Sequence, residues 1–282
     1  MNVFINTNAD YSGNNLGQIS LVDETGYDTD GLLYANAAGI IPQDKRLAND
    51  SFFKGLKSAG IWSGITHMWG MYGSDFTHAS VNMKTPSTNK LVAGTPAPVV
   101  SSGLDFSSVA ALVKTGIILN SSDEVNLYLG VFNSTAEDTT AIRVMLGATS
   151  DGGDPIFLAK SSATGGTQAV IAGRTIAPIT PQNNGVGYMA VSRVGTTVKA
   201  YDKGVLKNTI TDSSTAIGAT ELGVGTYLKL GNTVNASTKT KINFVVKATA
   251  LTDAQHATLN GLIVGWLFAM GLISSTVRDA SL

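Results

Sequence analysis

The chain has no cysteine among its 282 residues. A disulfide framework, thiolate-held zinc and thiol catalysis are thereby excluded, and the redox compartment stays open. Charge is almost as scarce, since Asp, Glu, Lys and Arg make up 14% of the chain and sum to −1, against about a quarter in an ordinary soluble domain. Binding a phosphate backbone or an anionic membrane surface needs clustered Lys and Arg. The sequence has no such cluster, so neither a nucleic-acid nor a membrane partner is expected. Long apolar runs are missing too: the longest, Leu259 to Ile273, includes Asn260, Gly261, Gly265 and Gly271 and falls short of the about 20 residues a spanning helix needs. It reads as a buried core helix. The opening MNVFINTNADYSG lacks a basic stretch followed by an apolar one, so the expected chain is made in the cytosol and released by lysis.

What remains is Gly, Ser, Thr, Asn and Ala around a 43% hydrophobic content, enough to bury a core as one large β-sandwich or two smaller domains. Residues 1–48 are rich in Asn, Gly and Asp, with few apolar runs. They read either as an extended arm that docks elsewhere or as a partly disordered terminus. From Asn49 the pattern changes. Phe52, Phe53, Leu56 and Trp62 fall near helical spacing, Asn49 or Asp50 is available as a cap, and Gly60 fits a helix C-terminus. The segment 49–87 is therefore a helical, aromatic one.

Beyond residue 88 the chain reads as β. Short β-prone runs at 117–119, 126–132, 141–146, 156–159 and 169–172 are separated by Asn, Ser, Asp and Gly, the spacing of a sandwich. Tyr188 to Arg193, Thr197 to Tyr201 and Val205 to Ile210 form a three-strand meander whose second turn, Asp202-Lys203-Gly204, asks for positive φ at Gly204. Strands at 227–230 and 241–248 follow. In the last, Ile242, Phe244 and Val246 alternate with Asn243, Val245 and Lys247, though Val245 blurs the pattern. Thr252 and Gln255 match a capping box, and Leu259, Leu262, Ile263, Trp266, Leu267 and Met270 give one apolar face to a helix from about Asp253 to Ala269, ended by Gly271.

These residues resemble a family. The order of a strand ending in Ser192-Arg193, the VGTTVKAYDKGV hairpin, YLKLGN, INFVV, ALTDAQ and WLFAMG resembles the concanavalin A-like, laminin-G-type jelly-roll domains of bacteriophage and bacterial surface proteins. Gly60-Ile61-Trp62, Met68 to Gly73 and Asn82-Met83-Lys84-Thr85-Pro86 look like the segment preceding such domains in phage virion proteins. The likeness covers about residues 50–272. It implies a mainly β, concanavalin A-like jelly-roll sandwich at 88–282, with a short helical N-terminal segment and the C-terminal helix packed upon it.

Signs of chemistry are sparse. Glu24, Glu124, Glu137 and Glu221 are scattered, and Asp123 and Glu124 are adjacent, hence on opposite faces of a strand, so the paired carboxylates of a glycosidase are not visible. His67, His78 and His256 lack acids at ligand spacing and read as packed or surface imidazoles, His256 as exposed. The sequence holds no G-x-S-x-G, and Gly147 to Gly153 lack the Lys-Ser/Thr of a phosphate loop. Asp151 and Asp154 flank Gly152-Gly153 and suit either a calcium ion or turn formation alone; no other cofactor is expected. Tyr201, beside the hairpin turn, is the expected exposed ring for stacking on a sugar, so Tyr201, Asp202, Asp151 and Asp154 are the candidate ligand-binding residues. Trp62 and Trp266 read as packing residues, and Phe52, Phe53, Trp62 and Trp69 as the assembly surface.

The reading is a non-enzymatic phage virion protein, a head fibre, decoration or tail appendage, localised to the virion and displaying a lectin-like domain. Its expected partners are further copies of itself, as a trimer, other virion proteins and a cell-surface glycan, with weak contacts strengthened by repetition. A free-standing carbohydrate-binding lectin-like module is the alternative, and a glycoside hydrolase the third reading.

Overall fold

The computed structural model describes residues 25–108, 111–119, 123, 125–136, 143–149, 156–161, 166–170, 177–179, 186–213, 220–229, 232–233 and 238–282. Helix α1 (Thr29–Ala37) begins where the Asp28 carboxylate accepts hydrogen bonds from the backbone N–H groups of Asp30 and Gly31 at 3.0 and 3.1 Å, satisfying donors that a helix start leaves free. Helix α2 spans Gln43–Ser58 and closes with Gly60 at φ +66°. It starts well before Asn49 because Asn49 and Asp50 serve other elements. Asn49 donates to Gly31 O at 2.6 Å and accepts from Trp266 Nε1 at 3.3 Å, while Asp50 accepts from Asp28 N at 2.6 Å. Residues 29–48, expected in an extended arm, are thus largely helical; residues 1–24 of that arm lie outside the described residues. Helices α3 (Phe76–Ala79), α4 (Asp253–Ala269) and α5 (Ser275–Ser281) complete the set. The capping box forms as expected, with Gln255 N–H donating to Thr252 Oγ1 and Thr252 N–H to Gln255 Oε1, and Gly271 at φ +75° ends α4.

The strands are β1 (Ile65–Trp69), β2 (Val92–Ala93), β3 (Val99–Val100), β4 (Leu104–Asp105), β5 (Val113–Leu119), β6 (Asn126–Asn133), β7 (Arg143–Thr149), β8 (Ile156–Ser161), β9 (Gly166–Val170), β10 (Ala177–Ile179), β11 (Gly187–Val194), β12 (Thr197–Asp202), β13 (Val205–Thr211), β14 (Thr220–Val224), β15 (Tyr227–Lys229), β16 (Asn232–Thr233) and β17 (Lys241–Ala248). One sheet runs β13-β12-β11-β6-β17-β4-β3, with β1 also on β17; the other runs β10-β9-β8-β7-β14-β5-β2, with β15 and β16 attached. The pairs are antiparallel except β15 on β7. This is the mainly β sandwich anticipated above, with the C-terminal helix packed on it.

The first sheet is the middle of three layers. On one face Leu127, Leu129, Val131, Met189, Val191 and Val245 pack against the second sheet's Val113, Leu146, Leu158 and Val224. On the other, Tyr128, Phe132, Tyr188, Phe244 and Val246 meet the helices through Phe52, Phe53, Leu56, Leu259, Ile263 and Trp266. Being covered on both faces removes the polar alternation from β6, β11 and β17, which is why Val245 blurred the sequence pattern. The helical layer centres on Trp266, whose ring lies 5.6 Å from Phe52, 5.9 Å from Phe244 and 6.5 Å from Tyr34. Phe52, Phe53 and Trp69 are buried in these cores and Trp62 packs on Phe53 with ring centroids 5.0 Å apart. The assembly surface expected of those four residues is therefore corrected: their apolar area is already used within the chain.

A buried tyrosine pair joins β6 to β11. Tyr128 and Tyr188 share a hydroxyl–hydroxyl bond of 2.5 Å, and burial pushes both phenols above their usual range. Their meeting needs Gly130, since a Cβ there would lie 1.9 Å from the Tyr188 hydroxyl. Gly130→Ala is expected to cost about 1–3 kcal/mol through overpacking. Urea unfolding followed by tyrosine fluorescence measures it, and an unchanged midpoint would show that the ring can yield.

Candidate functional site

The hairpin expected to display a ligand site is docked instead. Lys203 and Gly204 have φ of +50° and +76°, the two positive values of a tight hairpin turn, and a Cβ on Gly204 would come within 2.9 Å of Ala257 Cα in α4. Tyr201 is 1% exposed. Its hydroxyl donates to Asp253 Oδ1 at 2.8 Å, and its ring stacks on His256 at 3.4 Å and 13°. The exposed Tyr201 and exposed His256 of the sequence reading are thus both corrected: α4 covers Tyr201, and His256 lies on the inward face of α4 against that ring. Arg193 folds back on the hairpin, donating to Gly195 O and Asp212 O at 2.8 and 2.9 Å. Asp202, in the turn, is partly exposed, and Asp151 and Asp154 lie outside the described residues. Among the described residues no group of three His, Asp or Glu could hold a metal ion, and no helix is long and apolar enough to cross a membrane.

A different cleft, of about 550 Å³, opens where the two sheets part. Thr66 and His67 of β1 and Lys247 of β17 face Gly116 of β5, with Asp123 and Asn126 at the entry to β6. Strand β1 places His67 opposite Lys247. Gly116 stands at φ +71°, beside a register shift between β5 and β14, and its N–H donates to Glu221 Oε1 at 2.9 Å; this bulge bends the strand away and widens the opening. Lys247 and Asp123 form a 2.6 Å ion pair with side chains 11% and 10% exposed. His67 stacks on Trp69 at 5.8 Å, and its Nδ1 is buried without a partner. Thr66 Oγ1 donates to Lys247 O at 3.1 Å, and Asn126 Oδ1 accepts from Ala250 N at 2.7 Å. Ile118, 54% exposed, forms an apolar rim.

Desolvation, and then the Lys247 charge, lowers the His67 imidazole to about 4, with Asp123 opposing. At neutral pH the cleft therefore offers an uncharged imidazole, a threonine hydroxyl, an asparagine amide and a compensated ion pair. Such a set binds hydroxyl groups by hydrogen bonding. The sequence reading missed it because positions 67, 123 and 247 are far apart; the one available signal was Lys247, a charge on the same side as Val245 in an otherwise buried strand. A second opening, of about 490 Å³ beside Lys199 and Asp253, is bordered by their 2.8 Å ion pair. The Lys199 ammonium, then the Tyr201 hydroxyl, hold the Asp253 carboxyl below its usual range.

No family model matches the sequence, and no curated protein matches it. Solved structures do. A mutant of Trypanosoma rangeli sialidase displaying trans-sialidase activity is similar over 76% of this chain and 39% of its own, with 11% identity and a TM-score of 0.51. Trypanosoma rangeli sialidase in complex with sialic acid is similar over 74% and 38%, with 12% identity and a TM-score of 0.52. The Ruminococcus gnavus IT-sialidase CBM40 bound to α2,3-sialyllactose is similar over 50% of this chain and 85% of its own, with 15% identity and a TM-score of 0.40. The chain spans about two fifths of the sialidases it matches, and identities this low carry the fold alone. One expectation is overturned nonetheless. Solved structures that share this fold include sialidases, which are enzymes, so the fold gives no ground for the non-enzymatic expectation.

His256 gives the region a pH dependence. Neither ring nitrogen has a partner, Tyr128 closes on it edge-on at 4.8 Å, and burial lowers the imidazole to about 3. In the unfolded chain it would take up a proton near its ordinary value of 6.5. Between those values the unfolded state binds more protons, so stability is full above pH 6.5 and falls as the pH drops toward 3. From pH 7 to 5 the loss from His256 alone is expected to be about 2 kcal/mol. Urea unfolding at the two pH values should show it; because the lowered His67 imidazole adds a loss of similar size, His256→Phe should remove about half of the total difference whatever its uniform packing cost, and an undiminished difference would assign the dependence elsewhere.

Proposed function

We propose that this chain is a lectin-like carbohydrate-binding domain and that its saccharide occupies the cleft of His67, Asp123 and Lys247. The observation that carries the reading is the cleft itself: a solvent-open space between two sheets, whose polar groups are fixed by strand pairing and by the Asp123–Lys247 pair. A saccharide presents hydroxyls that both donate and accept, and this set answers each need. The carboxylate accepts, the Lys247 ammonium and the Asn126 amide donate, and the neutral His67 does either according to its tautomer. Ile118 gives the apolar face of a sugar ring a surface to cover. The shared fold with sialidases and the likeness to a carbohydrate-binding module agree with this reading. The finer placement, in a bacteriophage virion that displays the domain, rests on the sequence resemblance alone.

The full chain on a printed glycan array should retain a defined set of saccharides, with dissociation constants near millimolar, roughly −4 kcal/mol for a single open site. His67→Ala should weaken retention about fivefold, the worth of about one hydrogen bond, with an unchanged circular dichroism spectrum. Retention of no saccharide would overturn the reading. Release of fluorophore from a fluorogenic sialoside in the same preparation would add hydrolysis to binding.

A further inference from the structure

We infer that the cleft takes a neutral saccharide and turns away sugars that carry a carboxylate, sialic and uronic acids among them; this rests on the carbohydrate reading above. The argument is one of charge accounting at short range. An acidic sugar needs a cation whose charge is not already met, because taking a carboxylate out of water without one is far costlier than burying a hydroxyl that finds a hydrogen bond. Lys247 is the cation of the cleft, and its ammonium already lies 2.6 Å from Asp123, both side chains being about nine-tenths buried. A ligand carboxylate reaching Lys247 would approach Asp123 almost as closely, so attraction and repulsion nearly cancel.

Nothing else described at the cleft restores a positive field. Lys114 stands 4.0 Å from Glu221, whose other oxygen accepts from Gly116 N. The imidazole of His67 is held neutral beside Lys247. Of the segment that leads into β6, the described residues Asp123 and Val125 bring no base. The other polar groups at the cleft are those that suit hydroxyls: Thr66, Asn126 and His67. One of the solved structures with this fold is a sialidase in complex with sialic acid, an anion; the charge arrangement here departs from an anion site.

The test uses the full chain on an array that prints each galactose-ended glycan beside its α2,3- and α2,6-sialylated forms, and each glucose-ended glycan beside its glucuronic counterpart. Neutral glycans are expected to bind at least tenfold more tightly than their acidic forms. Asp123→Asn removes the negative partner while leaving the Lys247 charge, and should move the ratio at least tenfold toward the acidic form; a merely structural role for Asp123 would weaken both forms alike. Equal or tighter binding of acidic glycans by the native chain would overturn the inference while leaving the carbohydrate reading standing, as would an unmoved ratio in a folded Asp123→Asn variant. Should that variant fail to fold, the native comparison decides. Binding to no glycan on the array overturns both.

Discussion

The middle sheet is buried on both faces, and the rest of the molecule follows from that constraint. Strands β6, β11 and β17 cannot give one side to water, so a second sheet and a layer of helices must both be present for the backbone to fold. Each layer contributes its own apolar core, and each core uses the alternate residues of the same strands. Tyr128 and Tyr188 point to the helices while Leu129 and Val191 point to the other sheet. The Tyr128 and Tyr188 hydroxyls, committed to the helical core, meet each other there, and the glycine beneath them makes room for the pair.

The same constraint places the candidate site. Because α4 and the N-terminal helices occupy the outer face of the middle sheet, the β12–β13 hairpin is pressed under α4 and its aromatic ring is withdrawn from solvent. Openness survives where β1 adds to the free side of β17, at the mouth between the sheets. There a lysine borders the open cleft, and Asp123, just before β6, supplies the carboxylate that pairs with it. A buried pair of this kind contributes little net stability against an apolar alternative, so its value lies in holding two hydrogen-bonding groups at fixed positions in a cleft.

Much of the fold was legible in the sequence. The boundaries of β17 and α4, the capping box at Thr252 and Gln255, the positive φ at Gly204 and Gly271 and the meander from Tyr188 all follow from patterns spanning a few residues. Helix α2 was legible in kind and not in extent, because Asn49 and Asp50 look like caps but bond to α1 and α4. Helix α1 was hidden in a polar segment that buries only Gly31, Tyr34 and Ala35. The site was not legible: the hairpin that looked like a display loop is covered, and the residues that form the cleft carry no common motif.

The sequence by itself determined the class of the fold, the meander from Tyr188, the last strand with its helix, and the chemical poverty of its surface, since hydrophobic periodicity, turn residues and composition are local properties. Only the tertiary structure decided which face of each strand is covered, that Tyr201 and His256 are stacked in the interior, and that residues 67, 123 and 247 meet. Those outcomes depend on contacts between segments far apart in the chain, where close packing and the matching of buried charges select one arrangement among many that the same local patterns permit.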